Sequence, residues 1–274
     1  MSGVECIRRV LREIDMVIEV LDARAPLSTS NPRIAEVARG KEFILALNKI
    51  DLADPVKTGV WKGFFEEKGA VCVPLNARTG LGVPDLIRRA EVVASGIAHE
   101  LEARHRRRRA IRAVVIGFPN VGKSSLVNRI AGRKRARTGN RPGITRGHQW
   151  VVAGRGLELL DTPGIMEIEG VDIGGQAWPW LCAIGCVPDE RFDPEPVASK
   201  LLSLLGASAP GTLESRYGTR IDGLHDIARA RGCLGPGGIP DISRAARLVI
   251  RDFREGRLGR VTLESPSSQG HDAG

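Results

Sequence analysis

The stretch Ile116–Leu126, IGFPNVGKSSL, decides how the rest of the chain is read. Gly117, Gly122, Lys123 and Ser124 satisfy G-x-x-x-x-G-K-[ST], the spacing of a phosphate-cradling loop. Glycines let the backbone curl so that successive N–H groups face one concavity. The N–H groups and side chains of Asn120, Val121, Gly122, Lys123, Ser124 and Ser125 are the expected phosphate contacts. Lys123 supplies a point charge for β- and γ-phosphates, and the Ser124 hydroxyl can ligate Mg²⁺. Such a loop needs a buried strand before it and a helix after it, because a helix N-terminus attracts anions. The apolar run Ile111–Gly117 and the helically periodic Lys123–Ala131 meet both demands.

Upstream of this loop, three more strands alternate with helical segments. Asp15–Asp22 (DMVIEVLD), Glu42–Leu47 (EFILAL) and Ala70–Leu75 read as buried strands. Met1–Glu13, Ile34–Arg39, Asp54–Lys68 and Pro84–Arg104 read as helical, with a loop over Ala23–Pro32. Downstream, Gln149–Val152 and Leu157–Leu160 form an expected hairpin around Gly154-Arg155-Gly156. The alternation predicts an α/β fold with a mostly parallel sheet. Ile165–Pro196 lacks periodicity and reads as a mobile segment and linker. After it, Val197–Leu205, Thr212–Tyr217, Gly223–Arg231 and Asp241–Glu255 predict a smaller all-helical domain. The expected division is 1–168, a nucleotide-binding domain; 169–196, a switch and linker segment; 197–265, the helical domain; and 266–274, a disordered tail.

The strand ends carry the remaining chemistry. Asn48-Lys49-Ile50-Asp51 fits N-K-x-D at the C-terminal end of a strand, where ligands bind in open α/β sheets. The Asp51 carboxylate can accept from the ring N–H and the exocyclic amine of guanine together, a pair that adenine lacks. Asn76 and Ala77 follow the next strand, where a backbone N–H can reach the guanine oxygen. Asp161-Thr162-Pro163-Gly164 ends the hairpin; Asp161 would hold Mg²⁺ through water, and the Gly164 N–H would touch the γ-phosphate. Thr145, in the basic segment Arg133–His148, is the natural second Mg²⁺ ligand. Lys123, Thr145 and Gly164 are thus the residues expected to meet the reacting phosphate. Four motifs with consistent placement predict binding of GTP and GDP. Their order is permuted: the base-reading motifs precede the phosphate loop and its switches. The helical segment therefore hangs directly from the γ-phosphate sensor.

Composition narrows the partners. The 274-residue chain has 42% hydrophobic residues, enough for a sizeable core, and a net charge of +9. Leu101–Trp150 alone holds fourteen lysines and arginines against one acid, Glu102, so the remainder is net acidic. A basic patch around the phosphate loop suits nucleotide and RNA. Five scattered cysteines point to a reducing compartment without disulfides. There is no run of ~20 apolar residues for a membrane span, and the N-terminus reads as neither signal nor transit peptide. The expectation is a cytoplasmic, monomeric protein without membrane contact.

The permuted order, with VIEVLDARAPLSTSNP, LNKID, GFPNVGKSS, RPGITR and DTPGI, resembles the ribosome-biogenesis GTPases of the YlqF/RbgA type. ESRYG, ARARGCLGPGG and AARLVIRDFREGRLGR near the C-terminus also look like that family, so the resemblance spans Asp15 to about Pro266. It implies a GTPase that helps mature the large ribosomal subunit, with an RNA-binding helical domain. The sequence departs from the family in two places. The sequence starts at Met1 without the usual W-F-P-G-H-M segment, whose histidine is implicated in hydrolysis, so either the true start lies upstream or this member lacks that histidine; and Met166–Trp180 differs from the usual run after D-T-P-G.

Ile165 stands where many GTPases carry a water-positioning glutamine, so slow intrinsic turnover is expected. Potassium held partly by Asn120, the nearby His148, or the ribosome are the sources of help; a loop-capping role is the alternative for Asn120. Asp22-Ala23-Arg24 reads as a strand-end cap, with RNA or switch contact as the alternative. In the last helix, Ile242, Ala245, Ala246, Val249, Ile250 and Phe253 form one apolar stripe. Arg244, Arg247, Arg251 and Arg254 fall opposite, where they suit bidentate phosphate contacts to rRNA or form a solvated face. Two readings follow: a GTP-hydrolysing assembly factor for the large subunit, or a guanine-nucleotide-gated RNA-binding module with little hydrolysis. Another RNA-acting GTPase is a third.

Overall fold

A computed structural model describes residues 13–31, 34, 38–105, 109–132, 149–161, 175–209, 211–218 and 220–266. Its centre is a six-stranded sheet in the order β3-β2-β1-β4-β6-β5. The strands are β1 (Met16–Asp22), β2 (Glu42–Asn48), β3 (Val71–Pro74), β4 (Ile111–Ile116), β5 (Gln149–Gly154) and β6 (Leu157–Asp161). Every pairing is parallel except the β5–β6 hairpin. The sheet is therefore the expected mostly parallel one, and the C-terminal ends of β1, β2, β3, β4 and β6 share one edge.

Period-two alternation in β1 sorts its side chains between two faces. Met16, Ile18 and Val20 enter the largest buried cluster, whereas Val17 and Leu21 enter two smaller ones. The short helix α1 (Pro26–Thr29) interrupts a segment read from sequence as loop. Pro26 opens it with its fixed φ, and the Thr29 hydroxyl donates to the Ala25 carbonyl at 2.7 Å. α2 (Pro55–Glu67) starts where Asp54 accepts from the N–H groups of Val56 and Lys57. Its Trp61 and Phe65 are buried with Leu45, Leu47 and Cys72 of the sheet. α3 (Val83–Ala103) and α4 (Lys123–Gly132) bury Leu86, Ala90, Leu126 and Ile130 in the largest cluster.

The reading of Ile165–Pro196 as linker needs correction over its described part. Trp178–Ile184 forms α5, with Leu181, Cys182, Ala183 and Ile184 all buried. Seven residues are too few to show a helical period, and the flanking glycines and prolines hid the element. Among the described residues the remaining α-helices are α6 (Pro194–Ser208), α7 (Thr212–Tyr217), α8 (Leu224–Ala230) and α9 (Ile242–Arg254). One unbroken buried cluster runs from the sheet through α5 into α6, α8 and α9. Beyond α9 the chain turns back, buries Val261 and Leu263, and donates their N–H groups to the Leu52 and Arg24 carbonyls, just past the ends of β2 and β1. The helix expected over Met1–Glu13 and most of that over Ile34–Arg39 lie outside the described residues.

Candidate functional site

The phosphate loop fills the turn between β4 and α4, at the centre of the sheet edge. Two of its glycines are required by close approach. Gly117 has φ 148° and lies against the Val20 carbonyl; Gly122 has φ 108° and a Cβ there would run into the Asn48 amide. Lys123 donates to the carbonyls of Gly117 (3.0 Å) and Phe118 (2.7 Å), curling over its own loop. Ser124 and Ser125 are exposed on the first turn of α4, where N–H groups lack intrahelical partners. Ser124 thus offers a hard oxygen at the point where a phosphate-bound Mg²⁺ would sit, and the donor type fits that ion. Thr145, Gly164, Ile165 and His148 lie outside the described residues, as does the Asp161 side chain.

The Asn48–Asp51 segment adjoins this loop. Asn48, nearly wholly buried, donates from Nδ2 to the Val121 carbonyl at 2.7 Å and accepts the Ala77 N–H on Oδ1 at 2.9 Å. One carboxamide therefore joins the end of β2, the phosphate loop and the segment after β3. Asn76 is also buried; its side chain accepts the N–H groups of Arg78 and Thr79 at 2.9 and 3.0 Å, holding Ala77 in a turn. Asp51 is partly exposed, with Arg78 at 3.4 Å. Ile50 is half-buried and donates its N–H to the Leu75 carbonyl at 3.4 Å. Asn48, Asp51, Asn76, Ala77 and the loop 117–125 thus meet on one edge.

Lys49 has partners inside the protein. It adopts φ 63°, donates to the Asn120 carbonyl at 2.6 Å, and sits 2.9 Å from the Asp22 carboxylate. Asp22 is fully buried and also takes two guanidinium bonds from buried Arg24, at 2.9 and 2.8 Å. Burial alone would raise the Asp22 carboxyl, but Arg24 and Lys49 together overcome it and hold it well below the usual carboxylate range. Arg24 lies over the Phe253 ring of α9 at 5.3 Å and reaches the Ile184 carbonyl of α5 at 3.5 Å. Its burial leaves no surface for RNA, so Asp22-Ala23-Arg24 works inside the molecule. Sequence reading placed this triplet at a strand end, but only the fold reveals its partner Lys49.

Asn120 (φ 60°) donates its amide to the Gly185 carbonyl at 2.7 Å, just past α5. The loop-capping alternative for this residue thus has a partner, drawn from the turn after α5. Cys182 and Cys186 are buried, and burial pushes their thiols up to about 11 and about 12. A metal takes the thiolate, which these surroundings disfavour. On α9, Arg244, Arg247 and Arg251 are exposed and line a groove of about 580 Å³, together with Arg231 from beyond α8. Arg254 departs from the expected stripe. Its guanidinium bonds the Cys182 and Ala183 carbonyls at 2.7 and 3.1 Å and pairs with Asp189 at 2.8 Å, which fastens α9 to the end of α5.

Residues 112–178 match the model of a family described as 50S ribosome-binding GTPase. The chain is 37% identical over 268 residues to ribosome biogenesis GTPase A of Bacillus cereus, covering 95% of this chain and 89% of that protein. The corresponding protein of Thermotoga maritima is 33% identical over 262 residues, with the same coverage of 95% and 89%. Among solved structures, GNP-bound YlqF from T. maritima superposes with a TM-score of 0.66 at 28% identity, over 96% of this chain and 97% of that one. A GDP-bound YlqF structure gives 0.69 at 29% identity, over 96% and 99%. With the phosphate loop, the permuted base-reading motif and this near-complete coverage in agreement, the chain belongs to the ribosome biogenesis GTPase A family.

Proposed function

We propose that this GTPase binds and hydrolyses GTP during maturation of the large ribosomal subunit, docking on rRNA and cycling with nucleotide state. The observation that carries the reading is the Asn48 bridge between the phosphate loop and the segment holding Ala77. It brings motifs distant in sequence together, which supports reading them as one guanine-nucleotide cradle. In the proposal Asp51 reads the base, and Lys123 and the N–H groups of residues 120–125 hold the phosphates. Ser124, Thr145 and Asp161 would hold Mg²⁺, which neutralises charge on the phosphates when bound. Gly164 and Thr145 sense the γ-phosphate. Asn120 ties the cradle to Gly185, and its carboxamide oxygen is the atom offered to potassium.

The rRNA surface in this reading is Arg244, Arg247 and Arg251 with Arg231, supported by their exposure along one groove. Residues 197–265 then serve as the RNA-binding part of a cytoplasmic monomer. Among the described residues no helix is long and apolar enough to cross a membrane.

Ile165 favours a second reading, a nucleotide-gated RNA binder with little hydrolysis of its own. GTP turnover in potassium and in sodium buffer, with and without large ribosomal subunits, separates the two. Lys123→Ala is the blank. A large rise with subunits and potassium supports the assembly GTPase. Turnover at the blank level in all four conditions, with GTP still bound, supports the gated binder.

A further inference from the structure

The segment after α9 ends in a strap, Gly256–Glu264, that laces the base-reading loop from behind. Arg260 donates from Nη2 to the Ile50 carbonyl at 2.8 Å and from Nε to the Ala53 carbonyl at 3.0 Å. The Val261 N–H donates to the Leu52 carbonyl at 3.0 Å. The Thr262 hydroxyl accepts the Asp54 N–H at 3.1 Å. Four successive strap-to-loop bonds thus surround Asp51 without touching its carboxylate. The strap is itself anchored: the Leu263 N–H reaches the Arg24 carbonyl at 2.7 Å, and the Trp61 indole N–H reaches the Glu264 carbonyl at 3.4 Å. Leu258, Val261 and Leu263 are buried.

We propose that Arg260 is a positioning residue that sets guanine specificity by fixing the loop carrying Asp51. It rests on the reading of Asp51 as the base acceptor. A carboxylate accepts two parallel N–H bonds only when its plane faces the base edge, because hydrogen bonds weaken steeply as they misalign. The Arg260 fork fixes the carbonyls on either side of Asp51, so it fixes that plane. Arg260 itself is exposed, and its loss leaves no buried gap. The two other strap residues that bond the loop, Val261 and Thr262, act through a backbone N–H and a hydroxyl, so among the described strap residues the guanidinium is the one long side chain that bonds it. Coupling is reciprocal: a base bound to Asp51 would in turn steady the strap and the end of α9.

The test compares displacement of a fluorescent GDP by GDP and by IDP, which lacks the exocyclic amine, in the full chain. Arg260→Ala lowers the preference for GDP over IDP about five- to tenfold, roughly the net worth of one hydrogen bond. Arg260→Lys restores part of it, since an ammonium reaches one carbonyl. The thermal midpoint barely moves in either variant. Asp51→Ala abolishes the preference. An unchanged preference in Arg260→Ala, alongside its collapse in Asp51→Ala, overturns the positioning role alone. An unchanged preference in Asp51→Ala overturns the base-reading assignment and this inference with it.

Discussion

The Asn48 carboxamide donates to the Val121 carbonyl at 2.7 Å across 73 positions of sequence. The same group accepts the Ala77 N–H, so its removal orphans a buried donor and a buried acceptor at once. Asn48→Ala should cost about 2–4 kcal/mol, the penalty for two unsatisfied groups. GDP affinity should fall further than stability, because the freed Val121 lets the phosphate loop drift. Urea denaturation with a parallel GDP titration checks both. Equal losses in the two measurements would reduce Asn48 to a packing residue.

Arg24 and the partly exposed Lys49 form an ion triad around the buried Asp22 beside that bridge. Asp22→Asn leaves two cations facing each other without their anion, and should destabilise by about 3–5 kcal/mol at pH 7. The Asp22 carboxyl is held below its unfolded value of 3.8, so its contribution is complete above that value. The contribution is lost as pH falls through the folded value. The gap between wild type and Asp22→Asn, followed by urea titration, should therefore be constant from pH 5 to 8 and narrow below pH 4. A gap that widens with acid would contradict the assignment.

Much of the sheet was legible because buried parallel strands carry near-continuous apolar runs, as in Phe43–Leu47, and turns punctuate them. The nucleotide edge was legible because each motif follows a strand. α5 was not, since a short buried helix between glycines carries no period of its own. Nor was the role of Arg254. Its spacing puts it on the arginine stripe, and only the arrival of the Cys182 and Ala183 carbonyls turns it inward. Arg260 was silent for the same reason: its partners lie 207 and 210 residues away.

Glu19 sits in the middle of β1, 3% exposed, accepting the Asn31 N–H at 3.0 Å. Burial pushes its carboxyl up from 4.5 to about 7, against the smaller opposing pull of that bond. The folded state thus holds this proton more tightly than the unfolded chain. The stability it confers is full below about pH 4.5 and lost as pH rises through 7, on the order of 3 kcal/mol in all. Glu19→Gln removes the titration and keeps a group that can accept from Asn31. Thermal melts should show the variant gaining on wild type between pH 5 and 8, with no further change above. A pH-independent difference would mean that Glu19 is ionised throughout.

Arg254 and Arg251 lie on the same helix three residues apart, yet they should fail differently. Arg254 caps the last carbonyls of α5, which a helix leaves without internal partners. Arg254→Ala should cost about 1–3 kcal/mol, and Arg254→Lys should recover little, because an ammonium cannot bridge two carbonyls and Asp189 in the fork geometry. Arg251 is exposed and lines the groove with Arg244 and Arg247. Arg251→Ala should leave the melting midpoint within about 1 °C of wild type, as expected of an exposed side chain. It should weaken binding to an rRNA fragment and lower the slope of log affinity against log salt by about 1. Melting curves and filter binding from 50 to 200 mM salt read the two effects separately. If Arg251→Ala leaves RNA affinity and its salt slope at the wild-type values, the arginine face is only a solvated one.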